Sequence, residues 1–69
     1  MDSPEFRKKL LNKIKRAREK AKLTQAQVAE KVGMSTNHYA MFERGETSTT
    51  DENLFKIGEA VGIELVKIK

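Results

Sequence analysis

The side chains in this chain that carry usable chemistry are equipped to recognise rather than to react. Asn37 has a carboxamide that donates and accepts side by side, the pairing that fits the N6 and N7 edge of adenine. Thr36 beside it offers a hydroxyl for a base or a phosphate, and Ala40 and Met41 offer the apolar contact that a thymine methyl accepts. Reactive constellations are missing. There is no acid–base pair with a nucleophile and no glycine loop that could cradle phosphates, and 69 residues are too few for a deep pocket. The chain has no cysteine, and its single histidine, His38, is not by itself a metal site. No enzyme activity, metal or cofactor is expected.

Such residues read a partner only if rigid elements hold them. Thr24 with Gln27 forms a capping-box pattern that opens a helix, whose buried face is Val28, Ala29 and Val32 and whose end is Gly33. Met34 then plugs the core beneath a tight turn. Ser35 caps the next helix, which runs to about Arg44 and stops at Gly45. Tyr39 and Phe42, three apart, point inward, which turns Thr36, Asn37, Ala40 and Met41 outward. Two short amphipathic helices around one tight turn are a helix-turn-helix, whose second helix enters the DNA major groove with its first residues at the base edges.

The flanking segments supply the support. Ser3 and Pro4 suit the start of a long helix over residues 4 to 21, although Met1 to Phe6 also reads as a cloning-derived leader. Apolar residues at Phe6, Leu10, Ile14, Ala17 and Ala21 form one stripe of that helix, widened by Leu11. Arg7, Lys8, Lys13, Lys15, Arg16 and Lys20 occupy the other face. After a polar loop over residues 46 to 50, Thr49 with Glu52 offers another capping box. Leu54, Ile57, Ala60 and Val61 follow at helical spacing, and Gly62 closes that helix. Gly58 inside it lowers helix propensity by ~1 kcal/mol relative to alanine, or admits close packing. The β-branched tail reads as a strand over residues 63 to 68.

Charge is spread unevenly. Residues 1 to 22 hold nine Lys or Arg against three acids, +6, whereas residues 23 to 69 hold five against seven, −2. That asymmetry points to a polyanion on one side of the molecule, although a charge run alone is as readily a solvated face. No apolar run approaches the ~20 residues of a membrane span, and no hydrophobic leader opens the chain, so a cytoplasmic location and no membrane partner are expected. A domain this small buries only ~60% of its unfolded surface and has no disulfide to staple it, which leaves oligomerisation as a source of stability.

Three stretches make the chain resemble a known family: Leu-Thr-Gln at 23–25, Val-Ala-Glu-Lys-Val-Gly at 28–33 and Phe-Glu-Arg-Gly at 42–45. They resemble the lambda-repressor-like, or Xre/Cro, helix-turn-helix family of phage and bacterial regulators. The resemblance implies base contacts from Thr36, Asn37 and Met41. It also implies a phosphate contact from Gln25 and an ion pair between Glu43 and the first-helix arginine, Arg18. Ser35, His38, Arg44 and Lys22 are further phosphate candidates, because helix N-termini favour anions and such contacts set register. The plainer readings are a half-exposed Met41, a surface His38 and a Gln25 that only caps. Relatives often place Arg, Lys or Gln where this chain has Met41, so readout through A·T features and DNA shape is expected here.

The expected architecture is all-α: a lambda-repressor-like four-helix domain over residues 4 to 62, with a short C-terminal β-strand over residues 63 to 69. Relatives bind inverted half-sites as dimers. An unpaired edge strand needs a partner, so Phe55, Ile63, Leu65, Val66 and Ile68 are the expected homodimer interface. The alternative is a tail folded back on its own helix. The long first helix, the Thr-rich loop and the tail also resemble the HipB-like antitoxins, which would add a toxin protein to the partners. The expected function is a sequence-specific regulator, most simply a homodimeric repressor of double-stranded DNA. The rivals are an antitoxin and a protein-bridging transcription cofactor.

Overall fold

Four helices make up most of residues 4–63, the part of the chain that the computed structural model describes: α1 Pro4–Lys20, α2 Gln25–Val32, α3 Thr36–Glu43 and α4 Asp51–Val61. Each helix contributes one fully buried large side chain, Ile14, Val28, Tyr39 and Ile57 in that order. Leu11, Ala29, Val32, Phe42 and Val61 complete the core, and Leu10, Ala17, Leu23, Met34, Leu54, Ala60 and Ile63 pack against it, partly buried. Helix α2 packs on α3 and α4, and α1 packs on α3 and α4 from the other side.

The face that α1 turns inward is Leu11, Ile14 and Arg18. The stripe read from apolar spacing is its flank: Phe6 is 56% exposed, Ala21 is exposed, and Leu10 and Ala17 are only partly covered. The centre is displaced because a charged residue holds one of the inward positions, and hydrophobic periodicity cannot see it.

The N-terminal caps set where α2, α3 and α4 begin. Thr24 Oγ1 accepts from the Gln27 N–H at 3.0 Å while the Gln27 side chain accepts from the Thr24 N–H at 2.8 Å, so the capping box is complete. Ser35 Oγ accepts from the His38 N–H. Helix α4 starts one residue later than its sequence pattern suggests. The cap is Thr50, whose hydroxyl accepts from the Asn53 N–H at 3.0 Å, rather than Thr49 with Glu52. The Thr49 hydroxyl is instead buried with no partner among the described residues.

All four helices end alike. The residue after the last turn bonds back into it, and the next residue bonds further back: Lys22 to Glu19 and Leu23 to Arg18, Gly33 to Glu30 and Met34 to Ala29, Gly45 to Phe42 and Glu46 to Met41, Gly62 to Glu59 and Ile63 to Gly58. This Schellman arrangement needs a left-handed residue. Glycine fills it at three corners, but at the α1–α2 corner it is Lys22, at φ +62°.

The strand expected over residues 63 to 68 lies outside the described residues except for Ile63. Ile63 has no strand structure and packs against the core. No strand occurs among the described residues.

Candidate nucleic-acid interface

The helix carrying the recognition residues is held from behind by one carboxylate. Glu43 lies on the inward side of α3, and each of its oxygens takes two donors. Oε2 accepts from Arg18 Nε at 2.7 Å and from the Tyr39 hydroxyl at 2.6 Å. Oε1 accepts from Arg18 Nη2 at 3.2 Å and from Gln25 Nε2 at 3.1 Å. The Arg18 and Glu43 side chains are only 11% and 2% exposed. The remaining guanidinium nitrogen, Nη1, donates to the Leu23 carbonyl at 2.9 Å. One buried group thereby ties α1, the α1–α2 corner, α2 and α3 together.

Burial of an ionised carboxylate is costly, and by itself it raises the Glu43 pKa. Hydrogen bonds from Arg18, Tyr39 and Gln25, with the charge of Arg18, more than offset it and hold the group below the ordinary 4.5. Burial and the same carboxylate raise the Tyr39 phenol well above its ordinary 10.0, so it stays a donor. The charges are well enough solvated by protein donors to remain inside.

With Tyr39, Phe42 and Glu43 inward, the opposite side of α3 presents Asn37, Met41 and Arg44 at i, i+4 and i+7. Thr36, Asn37, Ser35 and His38 are exposed, and Ala40 and Met41 are half-buried. The Asn37 amide donates to the Met41 sulfur at 3.7 Å. Ser35, having accepted from His38, keeps its hydroxyl proton available. The first N–H groups of α2 and α3 have no intrahelical acceptors, as at any helix start, and carry the positive end of the dipole.

Two phosphate candidates are already engaged within the chain. Gln25 spends one amide N–H on Glu43, so only the other is left for an external anion. Arg44 is gripped by Glu46, Nε to Oε2 at 3.0 Å and Nη2 to Oε1 at 2.9 Å, with both side chains about half exposed. Lys22 is exposed at the corner just ahead of α2. Phe55 is 47% exposed on α4. Leu65, Val66 and Ile68 lie outside the described residues. No group of His, Cys, Asp or Glu suited to a metal ion occurs among the described residues.

Sequence reasoning missed the two neutral members of the Glu43 cluster. A signal existed for one: an inward position filled by Tyr rather than Phe calls for a buried hydroxyl partner. The Arg44–Glu46 pair was also missed, although the two residues lie two apart across a glycine turn.

Comparison with known proteins agrees with this geometry. A family model described as helix-turn-helix matches residues 14–68. The chain belongs to the helix-turn-helix family of the Xre/Cro type. This helix-turn-helix chain is also 37% identical over 57 residues to the cryptic phage CTXphi transcriptional repressor RstR of Vibrio cholerae serotype O1. That alignment covers 83% of the chain but 51% of the relative, so the chain spans about half the length of that protein. No solved structure gave a significant match. As in its family, the chain is a DNA-binding domain of the transcription-regulator kind. No helix among the described residues is long and apolar enough to cross a membrane.

Proposed function

We propose that this helix-turn-helix domain is a sequence-specific repressor that acts as a homodimer and inserts α3 into the DNA major groove. The observation that carries the reading is the back-to-back build of α3. One side is locked to α1 and α2 through Glu43, and the other presents a row of exposed Asn37, half-buried Met41 and exposed Arg44, with Thr36 and Ala40 beside it. A rigid helix that turns side chains able to meet base edges and phosphates outward is what direct readout requires.

In this reading Asn37 pairs with adenine, Thr36 bonds a base edge, and Ala40 and Met41 touch thymine methyls. Gln25, Ser35, His38, Lys22 and Arg44 hold phosphates and fix the register. The similarity to a phage repressor over 57 residues supports repression as the outcome. Dimerisation through the segment after Gly62, with Phe55 packed beneath Ile63, Leu65, Val66 and Ile68, would place two recognition helices about one DNA turn apart, ~34–36 Å. A second reading, an antitoxin that binds a toxin protein, draws on Phe55, a large apolar side chain 47% exposed on α4.

Selection from a random duplex library followed by affinity measurement tests the main reading. The chain should enrich a short, A·T-containing motif, and Asn37→Ala should lose discrimination at one base pair by roughly 1–3 kcal/mol. Failure to enrich any motif would remove sequence-specific DNA binding. Sedimentation equilibrium of the full chain beside a version ending at Gly62 tests the dimer: a monomer in both cases removes the tail-mediated interface.

A further inference from the structure

Helix α1 carries six cations that the DNA-reading surface does not use. Lys8, Lys9, Lys13, Lys15, Arg16 and Lys20 are all exposed, and none forms an ion pair among the described residues. Glu5 and Glu19 lie at the two ends of the same helix side and are likewise unpaired, so the face keeps a clear positive excess. Lys9, Asn12, Lys13 and Arg16 lie side by side on one exposed face of the helix, three cations and one amide.

The position of this row is what makes it informative. At 3.6 residues per turn, Lys9, Lys13 and Arg16 lie roughly 165° around α1 from its inward residues Leu11, Ile14 and Arg18. On α3, Asn37 and Met41 lie roughly 170° from the inward Tyr39, Phe42 and Glu43. The inward sides of the two helices meet directly at Arg18 and Glu43. The basic row and the reading row therefore point away from each other, and a duplex seated on α3 does not reach Lys9, Lys13 or Arg16.

We propose that the outward face of α1, built on Lys9, Asn12, Lys13, Arg16 and Lys20, is a second nucleic-acid surface that grips the backbone of a duplex segment other than the one α3 reads. The proposal deepens the DNA-binding reading and rests on it for what α3 does. From Lys9 to Lys20 the row spans about 16 Å of helix axis, which covers roughly five phosphate steps of one DNA strand. Protein–protein interfaces are depleted in lysine and centred on apolar or aromatic anchors, and this row has none. A membrane-surface helix needs an apolar face turned to lipid, and the apolar face of α1 is occupied by the core. A duplex backbone asks only for spaced cations, without sequence. Held this way, a regulator bound at its site would bridge to a second stretch of DNA.

The test uses the full chain with every α3 occupied. A duplex enriched by selection is added at stoichiometric saturation, and a labelled random-sequence duplex is then titrated in at low salt. The wild type should take up the labelled duplex. Lys9→Gln/Lys13→Gln/Arg16→Gln should bind it about a hundredfold more weakly, with a salt slope shallower by about 2.7, near 0.9 for each phosphate no longer neutralised. Its affinity for the selected duplex should stay within about threefold of wild type, and its helical circular dichroism should be unchanged. Equal uptake by the variant, or no uptake by either protein, overturns the proposal. So does uptake of labelled polyglutamate in place of duplex, which would assign the face to an acidic protein. If selection yields no motif, the function of α3 fails separately, and the salt slope of the variant on random-sequence duplex still decides the role of α1.

Discussion

Two arginine–glutamate pairs flank the C-terminal end of α3, and they do different work. Arg18 and Glu43 are almost fully enclosed and joined by Tyr39 and Gln25, whereas Arg44 and Glu46 meet with similar two-point geometry in open solvent. Identical functional groups at similar distances thus give a structural lock in one place and a labile surface contact in the other. What separates them is water. In the interior the charges cannot be resolvated if one partner is removed, and the penalty falls on the fold. At the surface water replaces either partner at little cost.

The largest break in this comparison comes from removing one side of the buried pair. Glu43→Ala leaves the Arg18 charge, the Tyr39 hydroxyl and the Gln25 amide unsatisfied together. It should cost about 3–5 kcal/mol, at least about a third of what a 69-residue domain possesses at about 0.05–0.15 kcal/mol per residue. Chemical denaturation should show a midpoint far below that of the wild type, or a chain already unfolded in water. A wild-type-like midpoint would mean that the pair is not buried in solution.

Acid sharpens the same contrast. The Glu43 pKa lies below its unfolded value near 4.5, so its contribution is present above that value and is lost as pH falls through the folded pKa. The Tyr39 pKa is raised, so its contribution holds up to about its unfolded value of 10.0 and is lost above it. Thermal melts should therefore show a plateau between these limits. Tyr39→Phe should lower the plateau by roughly 1.5–3 kcal/mol, the worth of a hydrogen bond to a charged acceptor, and should remove the alkaline limb that Tyr39 contributes. An unchanged alkaline limb in that variant would assign it to another group.

A smaller effect, of opposite sign, is expected at the α1–α2 corner. Lys22 holds a left-handed conformation that glycine adopts without steric cost, and the other three corners use glycine. Lys22→Gly should raise stability by up to about 1 kcal/mol and weaken DNA binding if the ammonium meets a phosphate. A gain in stability with unaltered affinity and salt slope would limit Lys22 to a structural accident of the turn. Smallest of all is Glu46→Gln. The melting temperature should not move measurably, but Arg44 is released, so duplex affinity should rise and its salt dependence steepen. A fall in affinity would show that Glu46 positions Arg44 rather than restraining it.

The legibility of this chain divides along the range of the interactions involved. The two helices of the motif, their caps at Thr24 and Ser35, and the inward pair Tyr39 and Phe42 could all be read, because each depends on residues within about one turn of each other. The register of α1 could not be read from apolar spacing, since its centre is set by Arg18, whose inward guanidinium bonds a carboxylate 25 residues on and the Leu23 carbonyl. The choice of Thr50 over Thr49 as a cap was equally hidden, because both offer a hydroxyl and the packing of the preceding loop selects between them. At the candidate interface, the outward order of Thr36, Asn37, Ala40 and Met41 followed from helical spacing. The prior engagement of Gln25 by Glu43 and of Arg44 by Glu46 did not.

The sequence by itself determined the four helices, the family and the side chains that α3 turns outward, since local hydrogen bonding and a 3.6-residue period fix those. Apart from the Arg18–Glu43 pair that the family resemblance implies, only the tertiary structure decided which polar and charged groups are shared. It gathered Arg18, Gln25 and Tyr39 from three helices around the Glu43 carboxylate and left Lys9, Lys13 and Arg16, on the far side of α1, without an ion pair among the described residues. Charge partnership depends on distances between elements and on the exclusion of water, and neither is written in the order of residues along the chain.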